Sequence, residues 1–163
     1  MNSNTPQVLL GGLSAQQFMR RHWQKKPLLI RQAVPGFISP LNWTDLKRWA
    51  GQSDVESRLI VQNGADWTLR HGPLSASSFP ARRQRQWTFL VQGVNLLDDR
   101  VNDFMRQFRF VPDARLDDLM ISWASEGGGV GPHFDSYDVF LFQAQLIIRS
   151  SRRASGTKRN CRI

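Results

Sequence analysis

The run Gly127-Gly128-Gly129-Val130-Gly131-Pro132-His133-Phe134-Asp135-Ser136-Tyr137-Asp138-Val139-Phe140 constrains this chain more than any other stretch. Its glycines allow the backbone to lie close against a neighbour, Pro132 fixes the local φ, and an apolar, strand-like stretch follows. His133 and Asp135 are two residues apart. On an extended chain they point to the same face, about 6.6–6.8 Å apart along the chain. One imidazole nitrogen and one carboxylate oxygen can then converge on a single ion. These are two of the three donors of a 2-His-1-carboxylate facial triad, the arrangement that leaves open positions on non-haem Fe(II). The other histidines, His22 and His71, both precede the run and none follows it. A bare His-x-Asp is also the pattern of a hydrogen-bonded surface pair. The glycines, Pro132 and the apolar stretch favour a pair at the mouth of a buried sheet.

With 163 residues, 40% of them hydrophobic, and six tryptophans, the chain is long and apolar enough for one folded domain. No apolar run approaches the ~18 residues of a membrane span, and the N-terminus lacks the basic and apolar regions of a secretory signal. The lone cysteine, Cys161, permits no internal disulfide, which fits a reducing cytoplasm. Six of the net nine positive charges fall in residues 146–163, leaving +3 for the other 145 residues. The body is mildly basic, as suits an acidic or nucleic-acid-rich environment such as the ribosome. The strong basicity belongs to the tail, which reads as solvated and disordered.

Helices concentrate early and strands late. Ser14 and Gln17 form a capping-box pattern opening a helix from about residue 14 to 23. Pro27 follows, and Leu28-Leu29-Ile30 reads as a short buried strand. Asn42 suits the N-cap and Gly51 the C′ position of a second helix, whose Trp43, Leu46, Trp49 and Ala50 share a core face. Asn63-Gly64 between residues 55–62 and 66–70 signals a hairpin, because both residues tolerate positive φ. Residues 87–92, 119–123 and 138–145 read as strands, and 99–108 as a helix. The pattern is α+β, with short strands and Gly/Pro turns suggesting a β-barrel or jelly roll. No serine–histidine–aspartate grouping supports a hydrolase triad. No nucleotide-binding P-loop motif is present.

Several blocks together resemble the bacterial JmjC/cupin ribosomal oxygenases. They are Arg21-His-Trp-Gln-Lys-Lys-Pro-Leu-Leu-Ile30, Val55-Glu-Ser-Arg58-Leu-Ile, His71-Gly-Pro, Leu90-Val-Gln-Gly-Val-Asn95, Asp117-Asp-Leu-Met-Ile-Ser122 and the glycine run through Phe140. The resemblance covers roughly residues 13–145, and the shared order of the blocks makes it far more specific than any one motif. It implies a double-stranded β-helix that binds Fe(II) and the co-substrate 2-oxoglutarate and hydroxylates an arginine of a large-subunit ribosomal protein in the cytoplasm. On that reading His133 and Asp135 are metal ligands, and Met120 and Ser122 line the co-substrate pocket. Tyr137 and Asp138 are candidates for a cationic substrate side chain, which a carboxylate can meet in a bidentate, charge-assisted pair. The family also implies a homodimer, no membrane and no sequence-specific nucleic-acid contact.

After Gln145 the resemblance stops. The family continues with a basic strand that anchors 2-oxoglutarate, a distal histidine strand, dimerisation helices and a winged-helix-like domain. Here Leu146-Ile-Ile-Arg149 leads into a basic tail with none of these. Residues 1–145 therefore read as the N-terminal part of a JmjC/cupin domain and 146–163 as a non-matching tail, as truncation or a shifted reading frame would produce. An incomplete barrel implies unpaired strand edges, uncovered apolar residues at 139–142 and a tendency to associate. A non-catalytic cupin fragment, or a ribosome-associated binding module, is the alternative reading.

Overall fold

The computed structural model describes residues 4–5, 7–81 and 83–144. The expectations for the basic tail, including Arg149, lie outside the described residues. Four strands form one antiparallel sheet: β1 (Ser57–Asn63), β2 (Asp66–His71), β3 (Trp87–Val91) and β4 (Ile121–Ala124), in the order β2-β1-β3-β4. Among the described residues three α-helices accompany it: α1 (Ala15–Arg21), α2 (Trp43–Ala50) and α3 (Asp99–Met105).

Local chemistry sets the helix ends. Ser14 and Gln17 form the reciprocal capping box of α1, with bonds of 2.9 and 3.1 Å. Asn42 and Asp45 do the same for α2. Gly51 caps α2 but keeps φ at −86°, so the left-handed stop expected there is not used. The 3₁₀ turn Arg106–Phe108 extends α3. In the hairpin, Asn63 still pairs with Asp66, and the two-residue loop is Gly64-Ala65. Gly64 supplies the positive φ (65°).

Strand alternation gives the sheet two different faces. Leu59, Phe89 and Trp123 align in register on one, beside Val61 and Trp87. This face packs on α2, where Leu46, Trp49 and Ala50 are buried. Trp43 meets Phe89, Trp123 and Trp87 edge-on at centroid distances of 5.0, 5.2 and 5.8 Å, a preferred geometry for aromatic pairs. The Ser57 hydroxyl donates to the Ala50 carbonyl at 3.1 Å and ties β1 to the end of α2. A second cluster gathers Leu10, Ala15 and Phe18 with Trp23, Leu28 and Phe110.

Two expected strands are not formed. Residues 28–30 are irregular, and Leu29 is exposed; only Leu28 joins the second cluster. Residues 138–144 are also irregular. Their aromatic side chains instead lie against rings of the helical part, Phe142 half-buried and Phe140 still partly exposed. Phe140 lies 5.0 Å from Phe108 and 5.9 Å from both Phe18 and Phe110, and Phe142 lies 4.8 Å from Phe37 and 4.9 Å from Phe104. Val139, Phe140 and Leu141 are exposed as expected, and Phe142 is half-buried.

Candidate metal centre

The second face of the sheet carries the site. In register across it lie His71, Arg58, Leu90 and Ser122, one from each strand, and a second row runs Leu69, Ile60, Thr88, Ala124. Trp67, two residues before Leu69 on β2, shares this face. Met120, two residues before Ser122, is exposed with it, while Ile121 and Trp123 turn toward α2. Arg58 pairs with Glu56 at 2.7 Å and with the Gln92 side chain.

The glycine run crosses this face. It leaves β4 through a turn fastened to β3. Ser125 N–H donates to the Trp87 carbonyl at 2.9 Å, Trp87 N–H donates to the Ser125 hydroxyl at 3.0 Å, and Gln86 N–H donates to the Glu126 carbonyl at 3.0 Å. Gly128 then lies so close that a β-carbon there would overlap the Trp87 carbonyl and sit 2.9 Å from the Thr88 hydroxyl. Only glycine permits this approach. Thr88 is buried beneath it, with its hydroxyl unpartnered. Farther on, β-carbons at Gly129 and Gly131 would lie 3.8 and 3.7 Å from the Trp67 indole. The run thus passes from over β3 to over the edge strand β2. Its downstream end is held by the Phe140 and Phe142 plugs.

His133 and Asp135 lie on the irregular segment between these anchors, not on a strand as expected. They nevertheless converge, with His133 Nε2 3.6 Å from Asp135 Oδ2. His133 Nδ1 lies 2.9 Å from the Gly131 carbonyl. A carbonyl only accepts, so Nδ1 carries a proton, and whenever the ring is neutral its Nε2 lone pair faces the carboxylate. Two acceptors then face each other, and a cation or a proton between them relieves the repulsion. Backbone-tied imidazole is the usual way a ligating histidine is oriented. Two metal bonds of about 2.1 Å can bridge the gap at a bent angle. The pair therefore fits a metal ion as two of its ligands. Among the described residues no group of three histidine, cysteine, aspartate or glutamate side chains could hold an ion. His71 shares the sheet face yet completes no such group. His22 caps the end of α1, its ring stacked on Phe18. Tyr137 and Asp138 are exposed on the same segment as His133 and Asp135. The sequence reading missed Trp67 and the Gly131 carbonyl, because neither belongs to a ligand-type motif.

A four-stranded antiparallel sheet whose open face is crossed by a glycine run bearing His-x-Asp is the arrangement of a cupin-like JmjC domain. The JmjC domain profile matches residues 103–146. Over 131 residues, 80% of this chain and 35% of the relative, the chain is 42% identical to the ribosomal protein uL16 3-hydroxylase of Escherichia coli. The solved structure of YcfD, a ribosomal oxygenase from Escherichia coli, superposes with a TM-score of 0.70 at 40% identity, covering 76% of this chain and 34% of that one. A complex of YcfD with cobalt and 2-oxoglutarate superposes with a TM-score of 0.69 at 40% identity, covering 74% and 33%. The chain is similar to these ribosomal oxygenases over most of its own length, and it spans about a third of the length of the relatives it matches. No helix among the described residues is long and apolar enough to cross a membrane.

Proposed function

We propose that this chain carries two iron ligands and part of the co-substrate pocket of an Fe(II)/2-oxoglutarate-dependent protein hydroxylase acting on an arginine of a large-subunit ribosomal protein in the cytoplasm. The observation that carries this reading is the His133–Asp135 pair, its facing donors 3.6 Å apart and its imidazole tied through Nδ1 to Gly131. Bound together, Fe(II) and 2-oxoglutarate would activate dioxygen, one oxygen atom going to succinate as CO2 leaves and the other to an unactivated C–H bond of the substrate. The chain's own residues bind and orient. His133 Nε2 and Asp135 Oδ2 offer two adjacent ligand positions, leaving the others for co-substrate, dioxygen and a third donor. Ser122 offers a hydroxyl and Met120 an apolar wall on the open sheet face, suited to the polar head and methylene chain of a dicarboxylate. Asp138 offers a carboxylate to a guanidinium, and Tyr137 a ring face for the same cation.

A second reading is favoured by one observation: the described residues complete no three-ligand group. In that reading the chain is a non-catalytic cupin module that meets ribosomal components through its basic surface. Succinate formation from 2-oxoglutarate separates the two. The hydroxylase reading predicts Fe(II)-dependent decarboxylation by the purified chain that His133→Ala abolishes. Iron-dependent turnover unaffected by that substitution would remove the pair from the reaction, and no turnover at all would leave the binding-module reading.

A further inference from the structure

We propose that Trp67, on the edge strand β2, is the positioning residue for His133, a role that rests on reading His133 as a metal ligand. Trp67 is 41% exposed. Neighbouring residues of β2 are exposed as well, so the strand is no core element whose packing explains a tryptophan. Its indole meets the glycine run. A β-carbon at Gly129 would lie 3.8 Å from its six-membered ring, and one at Gly131 3.7 Å from the ring fusion. Gly131 holds φ at +78°, a conformation that glycine adopts freely, and its carbonyl accepts from His133 Nδ1.

This arrangement can act as a short relay. The flat indole supports the Gly131 backbone, the Gly131 carbonyl selects the Nδ1–H form of His133, and that form turns the Nε2 lone pair toward Asp135. The upstream anchor at Ser125 and Gly128 fixes the run over β3, three residues before Gly131. The downstream plugs begin at Phe140. Between these anchors the Trp67 indole lies beside Gly131, 3.7 Å from where a β-carbon there would sit. Without the indole, the Gly131 peptide is free to rotate and the ring loses its acceptor.

The test reads the imidazole directly. In the full chain labelled with ¹⁵N-histidine and held at a fixed neutral pH without metal, His133 is expected to show the Nδ1–H pattern. Trp67→Ala is expected to convert it to a mixture with the Nε2–H form and to weaken Co(II) binding about tenfold. Trp67→Phe, which retains a flat ring, is expected to restore both. Leu69→Ala, on the same strand and face, controls for general loosening of β2, and Trp67→Leu is read in place of the alanine variant should that variant not fold. The inference is overturned if the Nδ1–H pattern survives removal of the indole, or if Leu69→Ala disturbs it equally. Unchanged Co(II) binding in His133→Ala, with the Trp67 effect on the ring intact, would instead sink the metal reading and leave the positioning role standing.

Discussion

At the residue scale, the chain shows how little sequence a ligand pair needs and how much backbone. His133 and Asp135 were legible as a pair because of their spacing. Their convergence does not come from strand geometry. It comes from a hydrogen bond two residues back to Gly131, which no ligand motif encodes. Gly128 is the most sensitive position on this path, because a β-carbon would meet backbone atoms of Trp87 and Ser125 that cannot swing aside. Gly128→Ala is expected to cost about 1–3 kcal/mol in chemical denaturation, the range of other overpacking changes. An unchanged midpoint would show that the run does not lie on β3. Asp98 is a second informative residue. It caps α3, and the Arg100 guanidinium bonded to it holds its carboxyl below the usual carboxylate value. A carboxyl with a lowered folded-state pKa adds stability above its unfolded value of 3.8, and loses that contribution as pH falls through the lower, folded value. Asp98→Asn keeps the capping acceptor. Its stability deficit at neutral pH is therefore expected to vanish in strongly acidic solution, as followed by circular dichroism. A deficit independent of pH would contradict the pairing.

At the element scale, what the sequence revealed follows from whether an element is specified locally. Both capping boxes and the Asn63-Gly64 hairpin were readable because their partners are within a few residues. Asn42→Ala is expected to remove about 1 kcal/mol by taking away the oxygen that accepts from Thr44 and Asp45, at 2.8 and 3.2 Å. A loss below a few tenths in urea denaturation would count against the cap. Residues 28–30 and 138–144 were misread as strands for the opposite reason. Apolar content alone does not distinguish a strand from an aromatic plug, and a strand needs a neighbour to pair with. Phe140 and Phe142 found partners on α1, α3 and the 3₁₀ turn instead, and the backbone between them follows those side chains. The register that gathers His71, Arg58 and Ser122 in one row was likewise invisible, since each comes from a different strand.

At the scale of the whole molecule, one sheet face is packed against α2 and the other is crossed by a single loop. Leu69, Met120, Phe134 and Leu141 remain exposed, and β2 and β4 are the outer strands of the described sheet. Open strand edges beside apolar side chains favour association. Sedimentation velocity is expected to show mass increasing with concentration; a single monomeric species with a cooperative melt would contradict this. The family was legible from the order of its sequence blocks, and the α+β character from the succession of helices and strands. What the sequence could not convey is that His133 and Asp135 lie on a loop stretched between a serine fastening and two phenylalanine contacts.

The claim on which the rest depends is that His133 and Asp135 act together on a metal ion. Anaerobic calorimetric titration with Co(II) tests it most directly, comparing the native chain with His133→Ala, Asp135→Asn and the double variant. The account predicts saturable binding at one site, weakened by each single substitution, with the double variant little worse than either single one, because two ligands of one ion fail as a unit. Binding that survives both substitutions, or losses that simply add, would place the metal elsewhere and contradict it.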